Sequence, residues 1–446
     1  MLLIISFVMF AAYVASDNIF AVENTLTGSL YQITGGEYSQ LAGAYSIFNV
    51  YLLMLIFGGI ILDKMGIRFT GIMSTILMVG GIGMLTYSLF DLRSLVAAGA
   101  DIPMVKFLGS EMRQPVLWSV IGIGIYGVGA EIAGITATKA IAKWFLGYEM
   151  ALAMGLQLAL ARLGTGLAYG ATPAIVKAAS GNVGIAVLIG LGLLTLGLVA
   201  FLFYCIYDRK LDRQLKAQGV KEEAANPEDE FHFKDILEVF KNPAFWMIAF
   251  LCLLFYAAVN PFLKYSTGMM INKIGISETL AGLFPMILPM GCIVLTPIFG
   301  GIYDRKGHGA GLMILGAIII TLVHLIFALL PDNGNTGTMA VIAIILMVFL
   351  GIGFALLPSA MWPSIAKIMP AKLLGTTMAL TFYIQNIGFI FVPKAISAIQ
   401  TSHPGNYFWF SIFFTALGAV AILLAIGIKI LDKKKHYGLE EPNIKS

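Results

Sequence analysis

The sequence predicts an all-α integral membrane protein of twelve transmembrane helices arranged in two six-helix pseudo-symmetric halves, and three observations support this fold class. Of the 446 residues, 59% are hydrophobic and only 12% are charged, and the mean hydropathy is +0.89. Apolar stretches long enough to cross a bilayer recur along the whole chain. One long hydrophilic segment interrupts them near the middle. A soluble domain of this size has too little interior to bury so much apolar surface.

Each predicted span is an apolar run bounded by charged residues or by glycine and proline. The first six cover residues 1–28, 41–62, 69–90, 115–145, 149–177 and 181–207, and the second six cover residues 243–271, 278–303, 309–330, 339–368, 372–400 and 406–430. We therefore divide the chain into an N-terminal half at 1–207, a linker at 208–241, a C-terminal half at 242–431 and a tail at 432–446.

A short motif recurs at the corresponding place in each half. The motif residues after the second span are Gly59, Asp63, Lys64, Gly66 and Arg68, and those after the eighth span are Gly300, Asp304, Arg305 and Gly307. Glycines let helix ends approach closely, and an aspartate can cap or pair with a neighbouring helix end. The repeat favours two related halves over the alternative that these aspartates merely end hydrophobic helices.

The distribution of lysine and arginine predicts the orientation. Twenty of these residues lie on the side that carries both motifs, the linker and the termini, and seven lie on the other side. Positive charge is enriched in cytoplasmic loops, so we expect both termini and the linker in the cytoplasm. The first apolar run has no basic flank before Lys64, so we expect a retained helix rather than a cleaved signal peptide.

Composition and motifs also exclude several function classes. The net charge of +4 is too small and too scattered to indicate nucleic-acid binding, and the three cysteines have no paired spacing. The sequence contains no nucleotide-binding loop, zinc pattern or nucleophile elbow in a credible setting. We therefore expect a protein that is not an enzyme and that needs no metal or cofactor.

Glu131 and Arg162 are the main site candidates because each is an ionisable residue within apolar sequence. Glu131 lies sixteen residues before Gly147, the predicted turn between the fourth and fifth spans, and Arg162 lies fifteen residues after it. At 1.5 Å per residue, both lie roughly 22 to 24 Å from the turn, near the middle of a hydrocarbon core of about 30 Å. An ionisable group at that depth costs roughly 2.5 to 3.5 kcal/mol and usually faces a cavity.

Three roles for this pair remain open from the sequence. The two residues can form a structural ion pair that fixes helix packing. They can instead bind a zwitterionic ligand, with the guanidinium gripping a carboxylate by two hydrogen bonds and the carboxylate holding an ammonium group. Glu131 can alternatively carry a proton, because burial favours its neutral form while a nearby arginine opposes this.

Other polar residues at membrane depth are weaker candidates, since core packing explains each one equally well. The substrate-binding candidates among them are Tyr45, Asn49, Asn260, Trp362, Gln385 and Asn386. Asn260 and Trp362 each precede a proline, and prolines interrupt helices that often line transport sites. Lys264 and Lys394 lie toward outer helix ends, where snorkelling to the interface is the ordinary explanation and a role in an outer gate is the alternative.

The repeated motif resembles the signature loop of the major facilitator superfamily, a family in which this loop latches one conformation of two rocking halves. A narrower resemblance, to the dipeptide-transporter branch of that superfamily, rests on strings spread along most of the chain. These strings are Asp17-Asn18, Tyr45-Ser46, Asn49-Val50, Gly58-Gly59, Gly66-Ile67-Arg68, Gly129-Ala130-Glu131, Trp144-Phe145, Gly147, Glu149, Gly155-Leu156-Gln157-Leu158, Ala161-Arg162, Pro261-Phe262, Trp362-Pro363, Leu374-Gly375-Thr376 and Gln385-Asn386-Ile387-Gly388.

The resemblance implies transport of dipeptides by alternating access, facilitated or proton-linked, with the residues at Glu131 and Arg162 contacting the two charged ends of the peptide. Animal members of the branch lie in lysosomal membranes with a glycosylated accessory subunit. This chain has no Asn-x-Ser/Thr site and no long N-terminal sorting segment, so we expect a bacterial inner membrane rather than a lysosomal one, no accessory subunit, and a monomer.

Two other functions stay open. The protein can carry another small organic anion or an amino acid, with Arg162 binding a carboxylate and Glu131 moving a proton. From a different class, it can be a membrane sensor or scaffold that does not transport.

Overall fold

The computed structural model describes residues 1–145, 150–217, 233–331, 336–370 and 373–443. The described chain is almost entirely helical, which confirms the all-helical prediction. In a bilayer each backbone amide and carbonyl must be bonded within its own segment, and a helix of apolar residues meets this need. The predicted turn at Gly147 and Glu149 lies outside the described residues.

Sixteen helices and one hairpin make up the described part of the chain. The helices are α1 Leu2–Asp17, α2 Glu23–Thr27, α3 Gly35–Gly43, α4 Ile47–Tyr51, α5 Met54–Ala97, α6 Gln114–Phe145, α7 Met150–Ala178, α8 Val183–Ala217, α9 Phe233–Lys241, α10 Pro243–Asn272, α11 Glu278–Ala281, α12 Leu283–Lys306, α13 Gly309–Leu329, α14 Thr336–Ile368, α15 Leu374–Ser402 and α16 Tyr407–Lys435. The antiparallel hairpin is formed by β1 Met104–Phe107 and β2 Ser110–Arg113.

Ten helical segments in the described chain are long and apolar enough to cross a membrane, and one bent pair is an eleventh. Each corresponds to a predicted span. The remaining predicted span is the fifth, α7, which has 29 residues but is not among these ten. Its length is sufficient to cross, and its first turn adjoins residues 146–149, which lie outside the described ranges. The protein is therefore multi-pass, and the count of twelve stays a prediction.

The irregular spans are not the ones that the prolines predict. Both α10 and α14 run through their internal prolines as single helices, so the predicted interruptions at Pro261 and Pro363 do not break the helices. The second span is bent by 61° instead, between α4 and α5, where Leu53 adopts a left-handed conformation. The first span is irregular from Asn18 to Val22, where it narrows to a 3₁₀-helix.

The linker region contains more helix than the charge pattern suggests. The sixth span, α8, continues past Asp208 to Ala217, and α9 occupies the end of the predicted linker. Asp208 is only 1% exposed, so the first residue assigned to the linker is part of the packed bundle. The division of the chain into two halves, a linker and a tail remains a prediction.

The two motifs lie at the same end of the bundle, because an even number of spans separates them. We call this end, which carries Arg68 and Arg305, the motif side, and the opposite end the far side. Both motif glycines adopt positive φ, 77° at Gly66 and 72° at Gly307, a conformation that glycine enters without strain. The equivalent glycines therefore turn the chain in the same way in each half.

The halves are joined toward the far side. Within the described residues, every hydrogen bond between them lies at the level of Ser46 and Asn386 or beyond it toward the far side. Lys264 of α10 donates to the Ala42 carbonyl, and its ammonium lies 4.3 Å from the Phe20 ring centroid. The snorkelling expected for Lys264 is therefore wrong, because its ammonium bridges the two halves.

Candidate functional site

Glu131 lies on α6 where this helix packs closely against the second span. A side chain at Gly127, one turn before Glu131, would overlap the Tyr45 carbonyl, so the glycine permits the contact. This approach places the Tyr45 hydroxyl 3.1 Å from Glu131 Oε1, to which it donates a hydrogen bond. The two predicted site residues are thus brought together by a glycine whose role the sequence did not single out.

Asn386 brings the other half of the molecule to the same carboxylate. Its side chain lies near Glu131. Its Oδ1 accepts from the Ser46 hydroxyl at 2.5 Å, and its Nδ2 donates to the Phe382 carbonyl at 3.0 Å. Glu131 therefore lies where the second, fourth and eleventh spans meet, at a contact between the halves.

Arg162 lies on α7 and contacts the C-terminal half through an aromatic ring. Its guanidinium carbon is 5.2 Å from the centroid of Phe354 on α14, which is the geometry of a cation–π contact. The side chain is half-buried, and among the described residues the guanidinium makes no hydrogen bond or ion pair. A ring stabilises the charge without occupying the five N–H donors.

Glu131 and Arg162 do not form an ion pair in this conformation. No nitrogen–oxygen distance between them is within 4.0 Å, although both side chains are described. Tyr13 of α1 lies within electrostatic range of both, and of Asp17 as well. The packing salt bridge considered from the sequence is therefore absent from this state.

An aromatic wall from the C-terminal half lies beside Arg162. Phe354 stacks on Phe255 with ring centroids 5.4 Å apart and meets Tyr256 edge-on at 5.9 Å. Trp362 donates from Nε1 to the Tyr256 hydroxyl at 3.1 Å and stacks on Phe382 at 4.6 Å. Trp362 thus joins this wall.

Two of the remaining predicted substrate-binding residues, Asn49 and Gln385, form hydrogen bonds within their own half of the molecule. Asn49 is 1% exposed and donates to the Tyr45 carbonyl at 3.3 Å. Gln385 is 7% exposed and accepts from Cys252 Sγ at 3.5 Å. Asn260 is half-buried on α10. Asn49 therefore contacts Tyr45, the hydrogen-bond partner of Glu131, whereas within the described residues no hydrogen bond joins Gln385 or Asn260 to Glu131 or Arg162.

The N-terminal motif belongs to a charge cluster on the motif side. Arg68 donates to Asp208 at 3.1 Å and also to Asp212, while Lys143 donates to Asp208 at 2.9 Å and to Asp212 at 2.6 Å. The two carboxylates, both on α8, thus tie the third span to the fourth. Lys64 is exposed, and the Asp63 side chain lies outside the description.

The C-terminal motif is held in a different way, by the tail. Asn443 donates to Asp304 Oδ1 at 2.7 Å, and the Glu441 and Gly438 carbonyls accept from Lys367 at 2.7 and 2.9 Å. Arg305 is exposed, and space is open around Gly59 and Gly300. Lys367 ends α14 as Lys143 ends α6, so corresponding lysines anchor the motif region in both halves.

Sequence reasoning missed several of these partners. Tyr13, Tyr256 and Phe354 are aromatic residues in apolar helices, where nothing in one sequence separates a site residue from a core residue. Asp208 was assigned to the linker because it begins the charged segment. In the described ranges no cluster of three or more potential metal ligands occurs.

Comparison with known proteins adds to this geometry. The sequence profile described as Major Facilitator Superfamily matches residues 3–393. The chain is similar to the lysosomal dipeptide transporter MFSD1 of Danio rerio, with 27% identity over 98% of this chain and 88% of that protein. The protein of the same name from Homo sapiens is also 27% identical, over 97% of this chain and 86% of the relative.

Solved structures share the fold. An inward-open structure of the xylose transporter XylE from E. coli superposes with a TM-score of 0.70 at 14% identity, covering 96% of this chain and 95% of that one. A POT family transporter in complex with 5-aminolevulinic acid gives a TM-score of 0.65 at 13% identity, covering 97% and 96%. At these identities the likeness concerns the fold.

Proposed function

Because this chain belongs to the Major Facilitator Superfamily and is a membrane transporter rather than an enzyme, we propose that it carries dipeptides across the membrane by alternating access. Glu131 would hold the peptide ammonium group, and Arg162 would hold the peptide carboxylate. The relatives over nearly the whole chain are named dipeptide transporters, which favours this substrate class.

The observation that carries the proposal is the unpaired state of the two ionisable residues. A guanidinium with five free N–H donors, half-buried beside a ring, is ready to grip a carboxylate through two parallel hydrogen bonds. A carboxylate that already accepts from Tyr45 has remaining lone pairs for an ammonium group. Because the residues are not paired with each other, the ligand need not break an existing ion pair.

The contacts of each residue suggest how binding would couple to movement. Glu131 and Arg162 both belong to the N-terminal half, and each touches a residue of the C-terminal half, Asn386 and Phe354 respectively. A ligand between them would add contacts to both halves and favour the states in which the halves enclose it. The aromatic wall would contact the peptide side chains, where its stacked rings tolerate varied apolar groups.

For the membrane setting, we propose that the motif side faces the cytoplasm, with both termini there, in a bacterial inner membrane. The lysine and arginine asymmetry supports this orientation. A reporter enzyme active only in the cytoplasm, fused after Ser446, should be active, whereas activity of a periplasm-specific reporter at the same position would reverse the orientation.

We also propose a monomer without an accessory subunit. One-subunit mass by light scattering would support the monomer, and flux by the purified chain would exclude a required subunit.

Flux into liposomes tests the function. Purified protein should take up labelled alanyl-alanine, and Arg162→Ala and Glu131→Gln should abolish uptake while their melting temperatures stay close to that of the unmodified protein. Arg93→Ala and Glu111→Gln, which change a half-buried arginine and an exposed glutamate far from the site, are the matched controls. Normal uptake by both site variants would contradict the site assignment.

Other outcomes decide between the alternatives. Uptake of single amino acids or organic acids without dipeptides would replace the substrate class. Binding without flux would indicate a sensor. A pH gradient added to the same assay separates the two transport modes, because a facilitator does not concentrate its substrate, whereas a proton-linked carrier does.

A further inference from the structure

A second acid, Glu23, lies at the contact between the halves on the far side. It begins α2 and is 8% exposed. Its carboxylate rests directly against Gly268 of α10, where any larger residue would overlap Glu23 Oε2. The neighbouring Asn24 and Asn272 exchange side-chain hydrogen bonds at 3.4 and 3.3 Å. Glu23 is therefore enclosed between the first and seventh spans where the far side is closed.

The carboxylate has no cation to balance it. In the described chain, Glu23 Oε2 has no hydrogen-bond partner, and no arginine or lysine forms an ion pair with Glu23. Lys264, the nearby bridging cation, is committed to the Ala42 carbonyl and the Phe20 ring. The ionisable groups that face Glu23 from the helices around it are Tyr38 on α3, Tyr169 on α7, Tyr265 on α10 and Tyr407 on α16.

A cavity of about 430 Å³ opens on the far side next to this acid. Its lining includes Val22 and Asn24, which flank Glu23 in the chain, and Thr267, which precedes Gly268. Lys177 and Glu278 lie at its rim, one from each half. Water from the far side thus reaches the immediate neighbours of Glu23, while the carboxylate itself stays buried.

Burial without a balancing cation disfavours the charged form of a carboxylate, and such a group takes a proton instead; the Gly268 backbone N–H opposes this only in part. Separation of α2 from α10 would expose the same group to water, where the charged form is favoured. We propose that Glu23 is a proton-binding site of the far-side gate, which holds a proton while the halves are closed there and releases it to the far-side solution when they part.

The direction of the pH effect on the gate follows from the number of protons that the closed and open states bind. The closed state binds one proton more than the open state, so acid on the far side favours closure. Between the pH values at which the open and closed states ionise, the ratio of closed to open molecules rises by about tenfold per pH unit of acidification. The inference requires rocking halves but not a dipeptide substrate, so it stands or fails independently of the proposed function.

Distance measurements across the far-side rim test this proposal. Spin labels at Ala178→Cys and Ser277→Cys, exposed positions in opposite halves, report whether the rim is closed. The three native cysteines, Cys205, Cys252 and Cys292, are buried and should not react. In liposomes without substrate, the short-distance population should grow as the pH is lowered.

Glu23→Gln, which mimics the protonated acid, should keep the rim closed and remove the pH dependence. Glu111→Gln, which changes an exposed acid on the hairpin, should retain the pH dependence. A wild-type distance distribution that does not change with pH would overturn the proposal even if Glu23→Gln failed to fold. A pH response in Glu23→Gln equal to that of the unmodified rim would overturn it as well.

Discussion

Arg162 offers the most exacting test of the site, because its partner on the ligand can be removed as well as the arginine itself. We consider Arg162→Ala against two ligands, alanyl-alanine and its C-terminal amide, which lacks the carboxylate. Together the two changes form a cycle that isolates the interaction between guanidinium and carboxylate from any general effect of the mutation.

The expected loss of binding free energy follows from the surroundings of Arg162. Hydrogen bonds to charged groups contribute about 1.5 to 3 kcal/mol each, and a fork-to-fork pair makes two. The side chain is half-buried, so water screens part of this energy, and we expect the guanidinium to contribute about 3 kcal/mol to alanyl-alanine binding and the coupling in the cycle to be about 2 kcal/mol. Arg162→Ala should then weaken alanyl-alanine binding roughly a hundredfold. It should weaken binding of the amide by only about fivefold, since a neutral hydrogen bond contributes about 1 kcal/mol.

Isothermal titration calorimetry on the purified protein measures all four affinities. Arg162→Lys keeps the charge beside Phe354 but loses the planar fork, so it should lie between the other two proteins for alanyl-alanine and match the unmodified protein for the amide. If Arg162→Ala weakens both ligands by the same factor, the guanidinium does not contact the carboxylate, and the assignment is refuted.

Two further variants probe the supports of the site. Gly127→Ala should push α6 away from the Tyr45 carbonyl, so overpacking of about 1 to 3 kcal/mol should lower the melting temperature and weaken dipeptide binding. Gly134→Ala, a change on the same helix where space is open, should have neither effect. Equal melting temperatures of the two variants in a thermal-shift assay would argue against the close approach of α6 to Tyr45. Lys143→Ala should remove one of the two cations beside the buried Asp208 and lower the free energy of unfolding by about 2 kcal/mol. A melting temperature unchanged within error would show that Arg68 alone is sufficient to stabilise the Asp208 carboxylate.

Much of the fold follows from composition alone, because a bilayer leaves few ways to satisfy a backbone. Long apolar runs separated by charge predict helices, and each predicted span has a helical counterpart in the described chain. The predictions of helix interruptions that were wrong have physical causes. Proline removes one hydrogen bond, and in α10 and α14 the surrounding packing keeps the helix continuous. The bend in the second span occurs at Leu53, a residue with no turn-forming character that a sequence can signal.

The site was predictable where it depends on charge and not where it depends on shape. Glu131 and Arg162 are recognisable because ionisable groups are costly at membrane depth. Phe354 is not, since an aromatic residue in an apolar helix is usually core. Glu23 was missed for another reason: it lies near a helix end, where an acid in the sequence looks solvated, and only the packing of α10 against it reveals the burial.

The arginine within α7 has a consequence for biogenesis. Arg162 adds roughly 2.5 to 3.5 kcal/mol to the cost of inserting this helix into the membrane. The preceding helix, α6, is apolar enough to insert by itself. We therefore expect that partners already in the membrane assist the insertion of α7, such as α6 and α1, against which Gly164 packs. The residue proposed to bind the substrate therefore also makes the assembly of the N-terminal half cooperative during synthesis.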